Sequence, residues 1–255
     1  MMPDFAGPQL AVGLLEIGRA WGHLPAEVPD DQAAVSFLHE AFAAGVRIFD
    51  TAPSYAHSER RFGLFLQELS AGQRAELTIA TKFGETWNFE KDEPDTDHSY
   101  DALLRSLDRS LALLGRIDIL QLHKSTVEVL QSAGVQRAFD AAALAGITTF
   151  GASLKDLDSA RLVCSDARYQ LLQIPYNRLN RAMEPVFSLA RDSGRLLFVN
   201  RPFAMGELLQ AEDRRTAISE SFQAIVQHPF RGAILCGTRS PEHLRQNLEL
   251  FRALR

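Results

Sequence analysis

Asp50, Tyr55, Lys82 and His123 place a carboxylate, a phenol, an ammonium and an imidazole in three short, well-separated stretches. Lysine is scarce: Lys82, Lys91, Lys124 and Lys155 are the only four among 27 basic residues. A compact ammonium with an adjustable pKa can stay charged and set the field around a neighbouring acid. Uncharged, it can attack a carbonyl and form an imine. A phenol and an imidazole are both able to move protons. Each group alone has a plainer reading: a strand-end Asp caps a helix, a Tyr packs, a His sits satisfied in a core. Their joint placement is what points to chemistry.

That placement depends on the elements around them. Short apolar runs fall at Leu10–Ile17, Val46–Asp50, Leu77–Lys82, Asp118–His123, Ile147–Ser153, Tyr169–Ile174, Leu196–Asn200 and Gly232–Gly237. Their unbroken apolar character suits strands covered on both faces. Segments of helical period alternate with them: 31–44, 58–69, 100–114, 127–145, 155–166, 181–193, 216–227 and 241–251. Gly45, Gly146 and Gly194 stand where helices stop, and Ser240-Pro241-Glu242 is a helix entry. Repeated strand–helix units with right-handed crossovers give a parallel sheet, and eight of them close into an α/β (β/α)8 TIM barrel. The whole chain, 1–255, reads as one such domain. An open dinucleotide-binding sheet should carry GxGxxG after an early strand, and none occurs. In a barrel, the strand C-termini share one rim. Asp50, Lys82 and His123 then meet there, with Tyr55 in the loop after the second strand.

Composition removes other classes. The 255 residues are 46% hydrophobic and 23% charged, with net charge -5 and a pI of about 5.8. That argues against nucleic-acid binding, which needs a basic footprint. Two cysteines, Cys164 and Cys236, offer neither a disulfide framework nor a zinc spacing. No apolar run approaches a membrane span, and the first residues do not read as a secretory signal. A cytoplasmic monomer is expected.

The sequence resembles the aldo-keto reductases. The resemblance rests on Gly45-Val46-Arg47-Ile48-Phe49-Asp50-Thr51-Ala52, then Tyr55-x-x-Ser58-Glu59, Thr81-Lys82, Leu122-His123, Gly151-Ala152-Ser153, Gln173, Arg201-Pro202-Phe203, and the run from Gly237-Thr238-Arg239-Ser240 through His243 to Asn247. It implies a (β/α)8 barrel that reduces a small-molecule carbonyl with NADPH, NADH remaining possible. It implies a catalytic tetrad of Asp50, Tyr55, Lys82 and His123. Tyr55 would protonate the alkoxide left by hydride addition. Lys82, kept charged by Asp50, would lower the phenol's pKa towards working pH. His123 would orient the carbonyl oxygen. Ser153 and Gln173 would hold the nicotinamide carboxamide. Arg201, Gly237, Thr238, Arg239, His243, Gln246 and Asn247 would bind the rest of the cofactor.

The chain departs from the family in places. Leu154 stands where the family commonly has Asn, His243 where it has Arg, and Gln246 where it has Glu. No stacking aromatic is evident at Val199-Asn200-Arg201-Pro202. Only eight residues follow Asn247, so the pocket should be open, shallower or completed by other loops. Trp21, Trp87 and Phe89 are the substrate-binding expectations, with Phe203 and Met205 beside them. The acidic stretch 90–98 reads as a solvated mobile loop, or as a preference for a cationic substrate. Two other functions compete: a Schiff-base lyase using Lys82, and a non-catalytic NADPH-binding regulatory barrel. A serine hydrolase is disfavoured, because Gly151-Ala152-Ser153-Leu154-Lys155 lacks the second glycine of GxSxG.

Overall fold

The computed structural model describes residues 5–22 and 27–254. Eight parallel strands close a barrel: β1 (Pro8–Gly13), β2 (Ile48–Asp50), β3 (Thr78–Phe83), β6 (Ile119–Leu122), β7 (Thr149–Ser153), β8 (Leu171–Pro175), β9 (Leu196–Asn200) and β10 (Gly232–Gly237), with β10 paired back to β1. The eight expected strands are these eight. Two others, β4 (Glu85–Asn88) and β5 (Glu93–Thr96), form an antiparallel hairpin on the rim. The outer helices are α1 (Asp31–Ala43), α2 (Ser58–Glu68), α3 (Ala71–Ala75), α4 (Tyr100–Leu114), α5 (Val127–Gln131), α6 (Ala133–Leu144), α7 (Leu157–Ser165), α8 (Pro185–Asp192), α9 (Arg214–Val226) and α10 (Pro241–Arg252).

Several boundaries differ from the sequence reading. The first strand stops at Gly13, and Leu14–Ile17 curls into a 3-10 turn. The helix expected over 127–145 is two helices, because Ser132 is extended (φ -62°, ψ 128°) and caps the second. The acidic stretch is not a structureless loop but the outer half of the β4–β5 hairpin.

Side-chain alternation along the strands sets the plan of the barrel. Its lower interior is filled by Phe5, Ala11, Ile48, Ala80, Ile119, Leu171, Leu196, Phe198, Ala233 and Leu235. Phe5 meets Phe198 edge-on at 6.0 Å between centroids. Two residues further along a strand, the side chain again faces the axis. On β2, β3, β6 and β8 that step runs from Ile48 to Asp50, Ala80 to Lys82, Ile119 to Gln121 and Leu171 to Gln173. An apolar layer thus carries a polar one directly above it, at the C-terminal rim. The larger core lies between strands and helices, where Phe37, Phe62, Leu103, Phe139, Val186 and Phe222 are buried. Gly232 is fixed by crowding: at φ +145°, a Cβ there would stand 2.0 Å from the Leu197 carbonyl oxygen.

Candidate active site

The polar layer is one connected network. Lys82, 1% exposed, donates to Asp50 Oδ2 at 2.5 Å and to the Thr51 carbonyl at 2.9 Å. Asp50 also accepts from Gln121 Nε2 at 2.8 Å and from Gln173 Nε2 at 3.2 Å. Burial works to lower Lys82, but the Asp50 carboxylate and the Tyr55 phenol oppose it and win, so the ammonium lies above its ordinary range. An amine held this way is a charged, poor nucleophile.

Tyr55 sits over this pair, with the Lys82 nitrogen 5.0 Å from its ring centroid. The phenol's pKa lies above its ordinary value. Burial raises it, and Lys82 lowers it only in part. Lys82 pulls in the direction expected from the sequence, and desolvation outweighs it.

His123 lies edge-on to Tyr55, at 6.2 Å between ring centroids. Burial, then the cations Lys82, Lys124 and Lys155, hold it well below the usual imidazole range. Its Nδ1 lies 3.0 Å from Glu85 Oε2, and the other Glu85 oxygen pairs with Lys124 at 3.2 Å. The hydrogen-bond partner of Nδ1 is the Ser54 hydroxyl at 3.4 Å, which can donate or accept, so the contact with Glu85 is one of charge.

Behind the network, Glu59 is buried and accepts from Thr81 Oγ1 at 2.6 Å. Burial pushes its pKa up to about 7, against the pull of Thr81 and Ser110.

Above the network opens a cleft of about 700 Å³. Its wall includes Trp21, Asp50, Tyr55, His123, Ser153, Gln173, Arg201, Gly237, Thr238, Arg239, His243 and Asn247, and also Phe203 and Met205. Four expected residues stand differently. Gln246 is not part of the wall. Trp87 meets the cleft only through Arg19. Phe89 is 50% exposed at the hairpin, tilted against His57 at 5.1 Å, and does not reach the cleft. Gln173 already spends its amide nitrogen on Asp50.

The acidic hairpin stands outside the cleft. None of residues 90–97 lines the cleft, and Asp95 is engaged by Asn88 at 2.7 Å and Lys91 at 3.3 Å.

Three buried acceptors in the wall have no partner: Gln173 Oε1, Asn200 Oδ1 and Asn247 Oδ1. Buried acceptors rarely stay unsatisfied. Gln173 Oε1 suits the amino group of a carboxamide, and Asn247 Oδ1 that of an adenine. Leu154, fully buried in the wall, offers no hydrogen bond where the family's Asn would. At the far end, Arg239 and Thr238 flank the start of α10. The Ser240 hydroxyl is already used as the helix cap, accepting from His243 N at 3.3 Å. His243 lies below its ordinary pKa through burial and the Arg214 charge. Among the described residues no cluster of acids, His or Cys could hold a metal ion, and no helix is long and apolar enough to cross a membrane.

Sequence reasoning missed Gln121, Glu85 and Arg19. The two-residue step from Ile119 would have found Gln121. Glu85 gave only its position, next to Gly84 at a strand end.

Comparison with known proteins agrees with this architecture. The model of the Aldo/keto reductase family matches residues 9–224. Aldo-keto reductase YhdN of Bacillus subtilis is 28% identical over 69% of this chain, and the chain spans only about half (52%) of YhdN. Pyridoxal 4-dehydrogenase of Microbacterium luteolum is 28% identical over 95% of the chain and 90% of its own length. A solved Pseudomonas aeruginosa protein assigned to the aldo-keto reductases superposes with a TM-score of 0.80 at 28% identity, covering 96% of this chain and 90% of that one. The Bacillus halodurans aldo-keto reductase AKR11C1, at 21% identity and a TM-score of 0.79 over 94% and 85% of the two chains, shares the fold. The chain belongs to the aldo/keto reductase family.

Proposed function

We propose that this protein interconverts a carbonyl compound and its alcohol with a nicotinamide cofactor, NADPH preferred and NADH accepted, and that Tyr55 is the acid and base. The observation that carries this reading is the buried Lys82–Asp50 pair lodged beneath Tyr55 and beside His123 at the floor of the cleft. When bound, the cofactor supplies or accepts hydride. The chain does the rest. Gln173 Oε1 and Ser153 orient the carboxamide, Asn247 takes the adenine amino group, and Arg239, Thr238 and Arg201 meet the phosphates. Tyr55 delivers its proton to the oxygen that gains charge, and the neighbouring ammonium stabilises the phenolate left behind. Asp50 keeps that ammonium charged, and the two glutamines keep Asp50 in place. Neutral His123, edge-on to Tyr55 in the cleft wall, hydrogen-bonds the substrate oxygen and orients it.

The raised, ion-paired state of Lys82 opposes the Schiff-base reading. The unspent acceptors among intact proton-transfer groups favour an enzyme over a silent binding barrel. A panel of aldehydes, ketones and alcohols, followed by cofactor absorbance with NADPH and with NADH, tests the proposal. Turnover with at least one pair is expected. Tight NADPH binding without any turnover supports the regulatory reading, and borohydride trapping of a substrate on Lys82 supports the lyase.

A further inference from the structure

Arg19 takes no part in the reaction described above. It follows the 3-10 turn after β1 and lines the cleft. Its Nε is buried without an acceptor, and no ion pair involves it among the described residues. Its guanidinium carbon lies 4.9 Å from the ring centroids of both Trp21 and Trp87, the only tryptophans of the chain. Burial works to lower its pKa, and Tyr55 and Glu85 are the groups whose charge opposes that. Desolvating a guanidinium without a partner is unfavourable unless a ligand completes it. Stacking on aromatic rings leaves the in-plane N–H donors free for a planar anion.

The backbone holds this arm still. Gly18 packs so closely that a Cβ there would stand 1.8 Å from the Tyr55 carbonyl oxygen. The Gly18 carbonyl accepts from His57 N at 3.4 Å, and the Ile17 carbonyl from Arg61 Nη1 at 2.6 Å. The backbone leading into Arg19 is therefore fixed relative to that of Tyr55.

Three further cations, Lys124, Lys155 and Arg201, line the same cleft, together with the carboxylates Glu16, Glu85 and Asp156. Burial lowers the pKa of Lys155, and the cations Lys124 and Arg201 lower it further. The Arg201 guanidinium lies 5.8 Å from the Trp21 ring. Glu85, the carboxylate that acts on both Arg19 and Lys155, is already engaged by His123 and Lys124. The residues suited to the adenosine end of the cofactor lie at the β10–α10 turn, whereas Arg19 is near the reacting end.

We propose that Arg19, stacked on Trp21 and Trp87 beside Tyr55, receives the carboxylate of the substrate, so that the preferred carbonyl compounds are oxo acids with the anion remote from the reacting carbon. The inference rests on the reductase reading, and it reverses the sign of substrate charge suggested by the acidic stretch. Two aldehydes of equal size test it: 4-carboxybenzaldehyde and its amide, 4-carbamoylbenzaldehyde. Arg19→Met should lower kcat/KM for the acid about 10- to 100-fold more than for the amide, mostly through KM, as expected for one charged hydrogen-bonded contact. Arg19→Lys should restore part of the difference. Without turnover, 4-(hydroxymethyl)benzoate should quench tryptophan emission of the wild-type protein at lower concentration than 4-(hydroxymethyl)benzamide, and Arg19→Met should abolish that gap. Equal losses on acid and amide, or no gap in quenching, overturn the proposal. If Arg19→Met instead weakens NADPH binding by calorimetry and leaves the gap, Arg19 reads a cofactor phosphate and the proposal is wrong. Failure of both aldehydes to turn over counts against the reductase reading, while the quenching gap still decides the carboxylate site.

Discussion

Two groups of cations share this cleft and are treated in opposite ways. On the barrel floor Lys82 is sealed from solvent, and its counter-ion Asp50 is held by two glutamine amides as well. On the rim Arg19 and Lys155 form no ion pair among the described residues, and Lys155 is lowered further by the positive charge around it. A buried charge must be compensated within the fold, whereas a charge on a rim can wait for a ligand. The floor charge is part of the folded state's own energy, and the rim charges become useful when something binds. Substitutions on the floor should therefore disturb stability and turnover together, and those on the rim should change binding alone.

The largest effect is expected at the point where the two zones meet. Tyr55→Phe removes the proton donor and keeps the ring, so kcat should fall about 100-fold or more, the usual scale for general acid catalysis. Calorimetric NADPH binding should stay within a few-fold. Near-wild-type turnover would take the acid role from Tyr55. Lys82→Met breaks the floor pair from one side. Besides lowering activity, it should cost about 3–5 kcal/mol in urea unfolding, the range for leaving a buried partner charge alone. Asp50→Asn leaves the ammonium and should reduce activity less. The reverse order would make the pair chiefly structural.

Glu59 provides a pH test of the floor. Its folded pKa of about 7 lies above the ordinary carboxyl value of 4.5, so the folded state binds more protons between those limits. Stability from this group is fully present below pH 4.5 and is lost as pH rises towards 7, by up to about 3 kcal/mol. Glu59→Gln should flatten that part of the stability profile. An unchanged slope would mean that Glu59 is ionised in the folded protein.

The smallest effect belongs to the rim at the β10–α10 turn. Arg239→Ala should weaken NADPH binding about 10-fold and leave NADH within about 2-fold, as for loss of one charge-assisted contact. Because His243 lies below its ordinary pKa, any gain in NADPH preference should appear at lower pH than an ordinary imidazole would give. Equal effects on both cofactors would remove Arg239 from the phosphate site.

The contrast also explains what could be read from the sequence. Strand-end Asp50, Lys82 and His123 were visible because short apolar runs ended on them, and the barrel follows from the alternation of those runs with helical segments. The supporting groups were harder to see. Gln121 and Gln173 matter through the hydrogen bonds they give Asp50, across 71 and 123 residues of chain. A linear pattern does not show such pairings. Phe89 and Trp87 were expected in the pocket because they follow a barrel strand. The segment after Gly84 instead folds back as a hairpin, tied to Pro53 by the Trp87 amide at 3.1 Å, and turns Phe89 outwards. The break at Ser132 was hidden by helix-forming residues on both sides.

Gly18 has a consequence for how this protein could change. Because it lies against the Tyr55 backbone with no room for a methyl group, the two loops behave as a single rigid piece. A lineage or a laboratory selection seeking new substrates cannot slide the first loop to resize the cleft without dislodging Tyr55. Variation is steered instead to the segment after β9, where Arg201, Ala204 and Met205 already adopt positive φ. Randomised libraries at 203–210 should therefore yield more active variants with altered preference than libraries at 16–20.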